Sequence, residues 1–347
     1  MQRPTGFQTS VQARRSELGR AQDCDSNRSP RVVVSVDFER RWGLHHRLGL
    51  DFDAYREHLE NVEPVVSRLL QLFAARNIRA TWAAVGALAC RDWSEYFARA
   101  PRPPKYHNPG LAITRRYAEL DLHGQLHFAP DLLRLVHASR GQELGTHTFS
   151  HILMREPGVT ADDVTADLGA VAQLWRERFG APPVSLVFPR NQVAFLPVIR
   201  SCGIRVWRGN EPGAHYDCNE TSTNRPVARA RRLLDAINPW ARHAGALEGD
   251  MTRASLFLRT NLPAGAWALH CARIRNELDS LRHPRVFHIW WHDHNLGGDM
   301  PKRLARVEQV LDMVAERCQR GVLVSQCMGD LLERSAFVST EAQHVRE

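Results

Sequence analysis

Short β-branched apolar runs alternate along the chain with longer stretches whose apolar positions recur every three or four residues. "RVVVSVDFE" (31–39) has the first pattern and predicts a buried strand. The stretch 51–77 has acids at its start, Leu and Val at helical spacing and Asn77 near its stop, and predicts a helix. "IRATWAAVG" (78–86) is a second strand. The rhythm then breaks over 91–130, a Pro-, Arg- and aromatic-rich stretch that reads as an insertion or long loop. It resumes with a helix at 130–141, the strand "QELGTH" (142–147), and a helix over 160–180 with a Thr cap and a Gly stop. "VSLVFP" (184–189) and "IRVWR" (204–208) are strands flanking a helix over 192–203. Within the less legible 209–284, a helix is expected around "VARARRLLDAIN". The strand "RVFHIWW" (285–291), a helix over 301–321 and a last strand "VLVSQ" close the pattern. Such strand–helix alternation from 31 to 335 predicts one α/β domain built on a parallel sheet or barrel.

Residues 1–30 and 336–347 stand outside this pattern and read as a disordered arm and a flexible tail. The N-terminal stretch lacks the apolar core of a secretory signal, and no apolar run reaches the length of a membrane span, so a cytoplasmic protein is expected. The net charge of +8 would suit an anionic partner, but it is spread along the chain. No aromatic-plus-basic module accompanies it, which argues against a nucleic-acid partner. Seven cysteines lie far apart, without a C-x-x-C pair, and predict neither a disulfide framework nor a zinc knuckle.

Candidate chemistry collects at the strand ends, where α/β barrels place their catalytic groups. These ends carry Asp37 and Glu39, His147 and His151, Arg190, and His292 and His294. The H-x-x-x-H spacing of His147 and His151 decides nothing alone, because 17 histidines in 347 residues make roughly one such pair by chance. His123/His127 and His288/His292 share it. Position and company decide. Two imidazoles on one side of a helical turn, completed by a carboxylate, can hold an ion and leave a place open for water and substrate. Such an ion polarises a carbonyl and acidifies water; a second carboxylate then takes a proton and an imidazolium gives one. Arg190 is expected to orient the base carboxylate. Together these parts serve metal-assisted hydrolysis of an amide or ester.

In their order the motifs resemble those of the polysaccharide deacetylase family, the NodB-homology or carbohydrate esterase family four domain. "VVVSVDFE" is similar to a first motif ending in an acid pair, "IRATWAAVG" to the strand after it, and "ELGTHTFSH" to the H-[ST]-x-x-H motif in full. "VFPRNQ" takes the place of the arginine segment, "FHIWWHDH" that of the closing strand, and "GVLVSQCMGDLL" that of the last strand and helix. The resemblance covers about 31–335. It implies a distorted, incomplete (β/α) barrel with the site at the mouth, and a divalent metal, usually zinc. His147 and His151 would be ligands, His292 the catalytic acid and Asp37 the base. The family's adjacent second acid is here Phe38, so Glu39 is offered as third ligand; in the rival assignment Asp37 is the ligand. Arg190 matches the base-orienting arginine only with its motif rearranged.

Substrate contacts are assigned to Trp42, Asn191, Trp290 and His294, Trp42 as a stacking face. His45 and His46 are expected to face solvent, and His288 to lie deeper as a packing residue. Asp293 or His294 would hold His292 in orientation. His123/His127 reads as coincidental, and 91–130 is the candidate for substrate selection. The implied reaction removes an N-acyl group, acetyl or formyl, from an amino sugar that is free, nucleotide-linked or lipid-linked. The alternative is a sugar-binding protein with a degraded site on the same barrel.

Overall fold

A computed structural model describes residues 29–46, 53–121, 124–217 and 226–332. The expected arm lies outside the described residues except at its end, and the expected tail and His123 lie outside them altogether. The first strand, β1 (Arg31–Phe38), is followed by α1 (Val62–Arg76) and β2 (Ala80–Ala84); then α2 (Pro130–Ala138), β3 (Gln142–Thr146), α3 (Ala161–Phe179) and β4 (Ser185–Val187). Next come α4 (Leu196–Ser201), β5 (Val206–Gly209), α5 (Pro226–Ala236), β6 (Met251–Arg253) and β7 (Leu256–Phe257). The order ends with α6 (Ala264–Ser280), β8 (Val286–His292), α7 (Met300–Gln319) and β9 (Val324–Gln326).

These strands pair in parallel, in the order β6-β5-β4-β3-β2-β1-β8-β7, with β9 beside β1. β6 lies on β5 and β7, three residues further along, lies on β8, so residues 251–257 close a distorted barrel by changing partner midway. The seam between β3 and β4 is a single paired position, Thr146 with Leu186. This is the α/β barrel expected from the alternation, incomplete where its strands are shortest.

Alternation along β1 and β8 sorts the side chains into two layers. Val32, Val34, Val36 and Phe38 point outward with Phe287, Ile289 and Trp291, and pack against α1 and α7. Inside, Val33, Ala83, Val187, Val206, Val286 and Met328 form one apolar cluster. Polar groups share this interior, with Ser35, His288 and Arg208 all buried. Asp37 and His292 lie level with each other as paired positions of β1 and β8. Both stand at the C-terminal ends of their strands, where the candidate chemistry collects.

Two expected elements differ. The helix expected over 51–77 is broken at Asn61 into a short turn and α1, which stops at left-handed Asn77. Residues 91–130 are no plain loop: Trp93–Arg99 and Arg115–Leu120 are helical, capped by Asp92 and Thr114 side chains. The thiols of Cys90, Cys202, Cys271, Cys318 and Cys327 are free. Among the described residues, no helix is long and apolar enough to cross a membrane.

Candidate metal centre and its surroundings

Glu39 is the first residue past β1. It ends the extended run and starts a 3-10 turn, Arg40–Leu44. The buried Asp293 carboxylate accepts the N–H groups of Glu39 (3.4 Å) and Arg40 (3.1 Å), fixing that turn. Gly43 has no side chain for a close reason: a Cβ there would lie 1.9 Å from Glu39 Oε1. The carboxylate thus occupies the space above Gly43 and faces the mouth.

His147 and His151 meet it there. His147 Nε2 lies 3.3 Å and His151 Nε2 3.1 Å from the same oxygen, Glu39 Oε2. All three residues are buried. Burial would raise the Glu39 pKa, but His292 and the bonds from His147 and His151 outweigh it and hold the carboxyl well below its usual range. The histidines do not sit on a helical turn, contrary to the sequence expectation. They lie on a bent loop whose Thr148 and His151 adopt left-handed φ values of 65° and 57°. Such conformations cost of order 1–3 kcal/mol each for non-glycine residues and persist only where the surroundings impose them. Here Asp167 of α3 accepts the N–H groups of Phe149 (2.6 Å) and Ser150 (3.0 Å), and Ile152 N–H donates to Thr148 Oγ1 (3.0 Å). Gly86 lets the loop come close, since a Cβ there would lie 3.0 Å from Phe149 Cα.

The donor set fits a divalent cation. Its ligand atoms all lie within 4.8 Å of one another. Two imidazole nitrogens about 3.2 Å from one carboxylate oxygen are near the edge length of a tetrahedron with bonds of roughly 2.0–2.1 Å. The Val187 carbonyl, 2.8 Å from His147 Nδ1, accepts that N–H and leaves Nε2 free to coordinate. Asp37 belongs to no such group among the described residues; it faces a guanidinium. Arg208 Nη1 is 2.6 Å from its Oδ1 and Nη2 2.8 Å from its Oδ2. The Arg208 side chain is fully buried, bonded also to Ser35 Oγ and Asn191 Oδ1 and lying 4.0 Å over the Trp290 ring.

His292 completes the ring of groups. Its Nε2 is 3.7 Å from Glu39 Oε1 and 3.9 Å from Asp37 Oδ2, and its side chain is 27% exposed, within reach of a substrate. Burial lowers its pKa, against the pull of Glu39 and Asp37. Its Nδ1 meets the Asn295 side-chain amide at 3.0 Å. Asn295 thus bonds to His292, His294 stacks on its ring, and Asp293 bonds to the Glu39 turn instead.

Several expected positions are not where the sequence placed them. Arg190 turns away from Asp37, at a left-handed φ of 54°, and pairs with buried Glu156 at 3.3 Å. Trp42 is fully buried, donates its indole N–H to the His127 carbonyl (2.6 Å) and packs on Trp93 and Tyr96, so it presents no face to a sugar. Trp290 has its N–H on Glu211 (2.8 Å) and its ring between Arg208 and Phe257. His294 is buried beside His292, ring centres 5.2 Å apart, with its Nδ1 3.8 Å from Glu39 Oε1, so it stands at the site without an open face. Asn191 alone of the four stays at the rim, half-buried, with its oxygen on Arg208. His45 and His46 are half-buried against His151 rather than facing solvent. His288 is buried beneath the site as expected, its Nε2 2.8 Å from Ser35 Oγ. Arg208, Asn295 and Asp167 were missed. Only Arg208 had a signal, as the charged end of the apolar run "IRVWR".

The fold is similar to that of polysaccharide deacetylases of known structure. A candidate polysaccharide deacetylase from Mycobacterium smegmatis superposes at a TM-score of 0.51 with 16% identity, over 88% of this chain and 90% of the other. A peptidoglycan deacetylase of Bacillus subtilis matches at 0.41 and 10%, over 92% and 97%. A carbohydrate esterase family four pseudoenzyme from Bacillus anthracis matches at 0.41 and 9%, over 88% and 66%. No family model matches the sequence, and no curated protein matches it.

Proposed function

We propose that the chain is a metal-dependent hydrolase that removes an N-acyl group, acetyl or formyl, from an amino sugar in glycan or surface-polysaccharide synthesis. The observation that carries this reading is the convergence of His147 and His151 on one oxygen of Glu39, beside a clamped Asp37 and a reachable His292. Glu39, His147 and His151 would hold the ion, with zinc favoured by two imidazoles and one carboxylate. A divalent cation there polarises the acyl carbonyl and lowers the pKa of the attacking water. Asp37, held in plane by Arg208, takes the proton of the water whose oxygen adds to the acyl carbon. His292, on the open side, gives a proton to the amine nitrogen as the C–N bond breaks. The products are the free amino sugar and the carboxylic acid.

The degraded-site alternative rests on Phe38 standing where the family has its second acid. Phe38 points outward against Trp82, and Glu39 one residue later supplies a carboxylate to the histidines. The departure shifts the acid along the chain without removing it. The test is metal per chain by elemental analysis, followed by release of acetate or formate from N-acylated sugars. About one ion per wild-type chain, lost in His151→Ala, supports the reading; no bound ion after zinc is supplied overturns it.

A further inference from the structure

His151 has a second ring nitrogen, and its surroundings differ from those of His147. The Nδ1 of His147 is satisfied by the Val187 carbonyl. The Nδ1 of His151 is buried and has no hydrogen-bond partner among the described residues. His45 and His46 close on that ring, with centres 5.5 Å and 6.0 Å from its own. One nitrogen from each of His45, His46 and His151 lies within 4.8 Å of the others. Among the described residues, the buried Nδ1 of His46 has no partner either. His45 Nδ1 lies 2.6 Å from the Trp42 carbonyl, which accepts its N–H as a backbone carbonyl does for a ligating imidazole, and the Leu111 backbone also bonds to the ring.

Three imidazoles gathered without a carboxylate, two with an unsatisfied nitrogen, are a donor set and not an ion-pair network. We propose that His45, His46 and His151 Nδ1 form a second divalent-cation site, sharing the His151 ring with the Glu39 site. The inference rests on the reading of His151 Nε2 as a ligand of the first ion. An all-imidazole set selects zinc, copper, nickel or cobalt over magnesium and calcium. With both ring nitrogens engaged, His151 releases its remaining ring proton to solvent on filling of the second site. The absence of a carboxylate and the nearby Arg190 make this the weaker of the two sites.

The experiment is a zinc titration of the metal-free full chain by calorimetry, with elemental analysis after buffer exchange. Two equivalents are expected in the wild type. His46→Ala and His45→Ala should each lose the weaker one and keep the tighter, while Glu39→Gln should lose the tighter. His46→Gln, which preserves polarity and bulk, repeats the measurement if His46→Ala does not fold. A single wild-type equivalent, unchanged in His46→Ala, overturns the second site and leaves the proposed function standing. A second equivalent that survives both His45→Ala and His46→Ala lies elsewhere and also overturns it. No bound zinc at all overturns both readings.

Discussion

Arg208 and Asp37 are 171 residues apart in sequence and lie fork against fork inside the barrel, Nη1 to Oδ1 at 2.6 Å and Nη2 to Oδ2 at 2.8 Å. Two parallel charge-assisted bonds fix the plane of the carboxylate as well as its position. Ser35, Asn191 and the Trp290 face in turn fix the guanidinium. An acid that must take a proton from a defined direction gains most from such a clamp.

The clamp distinguishes two arginines. Arg208→Gln leaves a buried carboxylate without its counter-charge, and breaking such a pair costs about 3–5 kcal/mol. Turnover should fall about 10²-fold or more as Asp37 loses its orientation. Arg190→Gln touches Glu156 and leaves Asp37 in place, so its turnover should fall less than about tenfold. Steady-state rates with urea midpoints for both variants decide the matter. Equal losses would show that the Asp37 clamp has no special part in turnover.

The two first-strand acids should also separate. Glu39→Gln removes an oxygen shared by both histidines, so zinc affinity should drop by more than about 100-fold, beyond what loss of a supporting group costs. Asp37→Asn leaves His147, His151 and Glu39 together. It should bind zinc near wild-type strength while turnover falls about 10²–10⁴-fold for want of a base. Competition with a zinc chelator measures the first quantity. Loss of zinc in Asp37→Asn with retention in Glu39→Gln would reverse the roles.

How far these residues could be read from sequence depends on how local their causes are. β1 was legible because its two-residue alternation is itself the cause: Val32, Val34 and Val36 face the helices while Ser35 and Asp37 face the interior. α3 was legible through the reciprocal Thr160/Asp163 cap and left-handed Gly180 at its end. The His147/His151 pair was found, but the helical turn supposed to present it is a strained loop held by Asp167, a contact 17–18 residues away with no periodic trace. Arg208 was passed over because its partner lies across the barrel, whereas Arg190 sat in a recognisable motif. Trp42 was read as a sugar face from its nearness to a strand end, and Trp290 as a substrate contact from its strand. Their burial follows from Trp93, Tyr96 and Phe257, which sequence order does not place beside them.

Gly43 offers a steric test of the same centre. An alanine Cβ would lie 1.9 Å from Glu39 Oε1, so either the carboxylate or the 3-10 turn must move. Overpacking of this kind costs about 1–3 kcal/mol. Gly43→Ala should lower zinc affinity by at least about tenfold while the barrel still folds, because the turn lies beyond the last β1 residue. Chelator competition alongside a thermal melt separates the two effects. Unchanged zinc affinity would mean that Glu39 does not depend on the space above Gly43.

Away from the site, Glu95 gives a pH dependence whose sign can be worked out. Burial would raise its pKa, but the backbone N–H and guanidinium of Arg91, with Arg178, outweigh this and bring it down to about 2. Arg99 adds a further contact at 3.2 Å. An unfolded glutamate titrates near 4.5, so between that value and about 2 the unfolded chain binds more protons than the folded one. The stabilisation is therefore fully present above pH 4.5 and is lost as pH falls through the folded value. Its partners are partly exposed, which limits the contribution to about 1 kcal/mol. Urea midpoints measured from pH 7 down to pH 3 should fall less steeply for Glu95→Gln than for wild type, the two curves converging at the acid end. Parallel curves over that range would show that the Arg91, Arg99 and Arg178 contacts do not stabilise the ionised carboxylate.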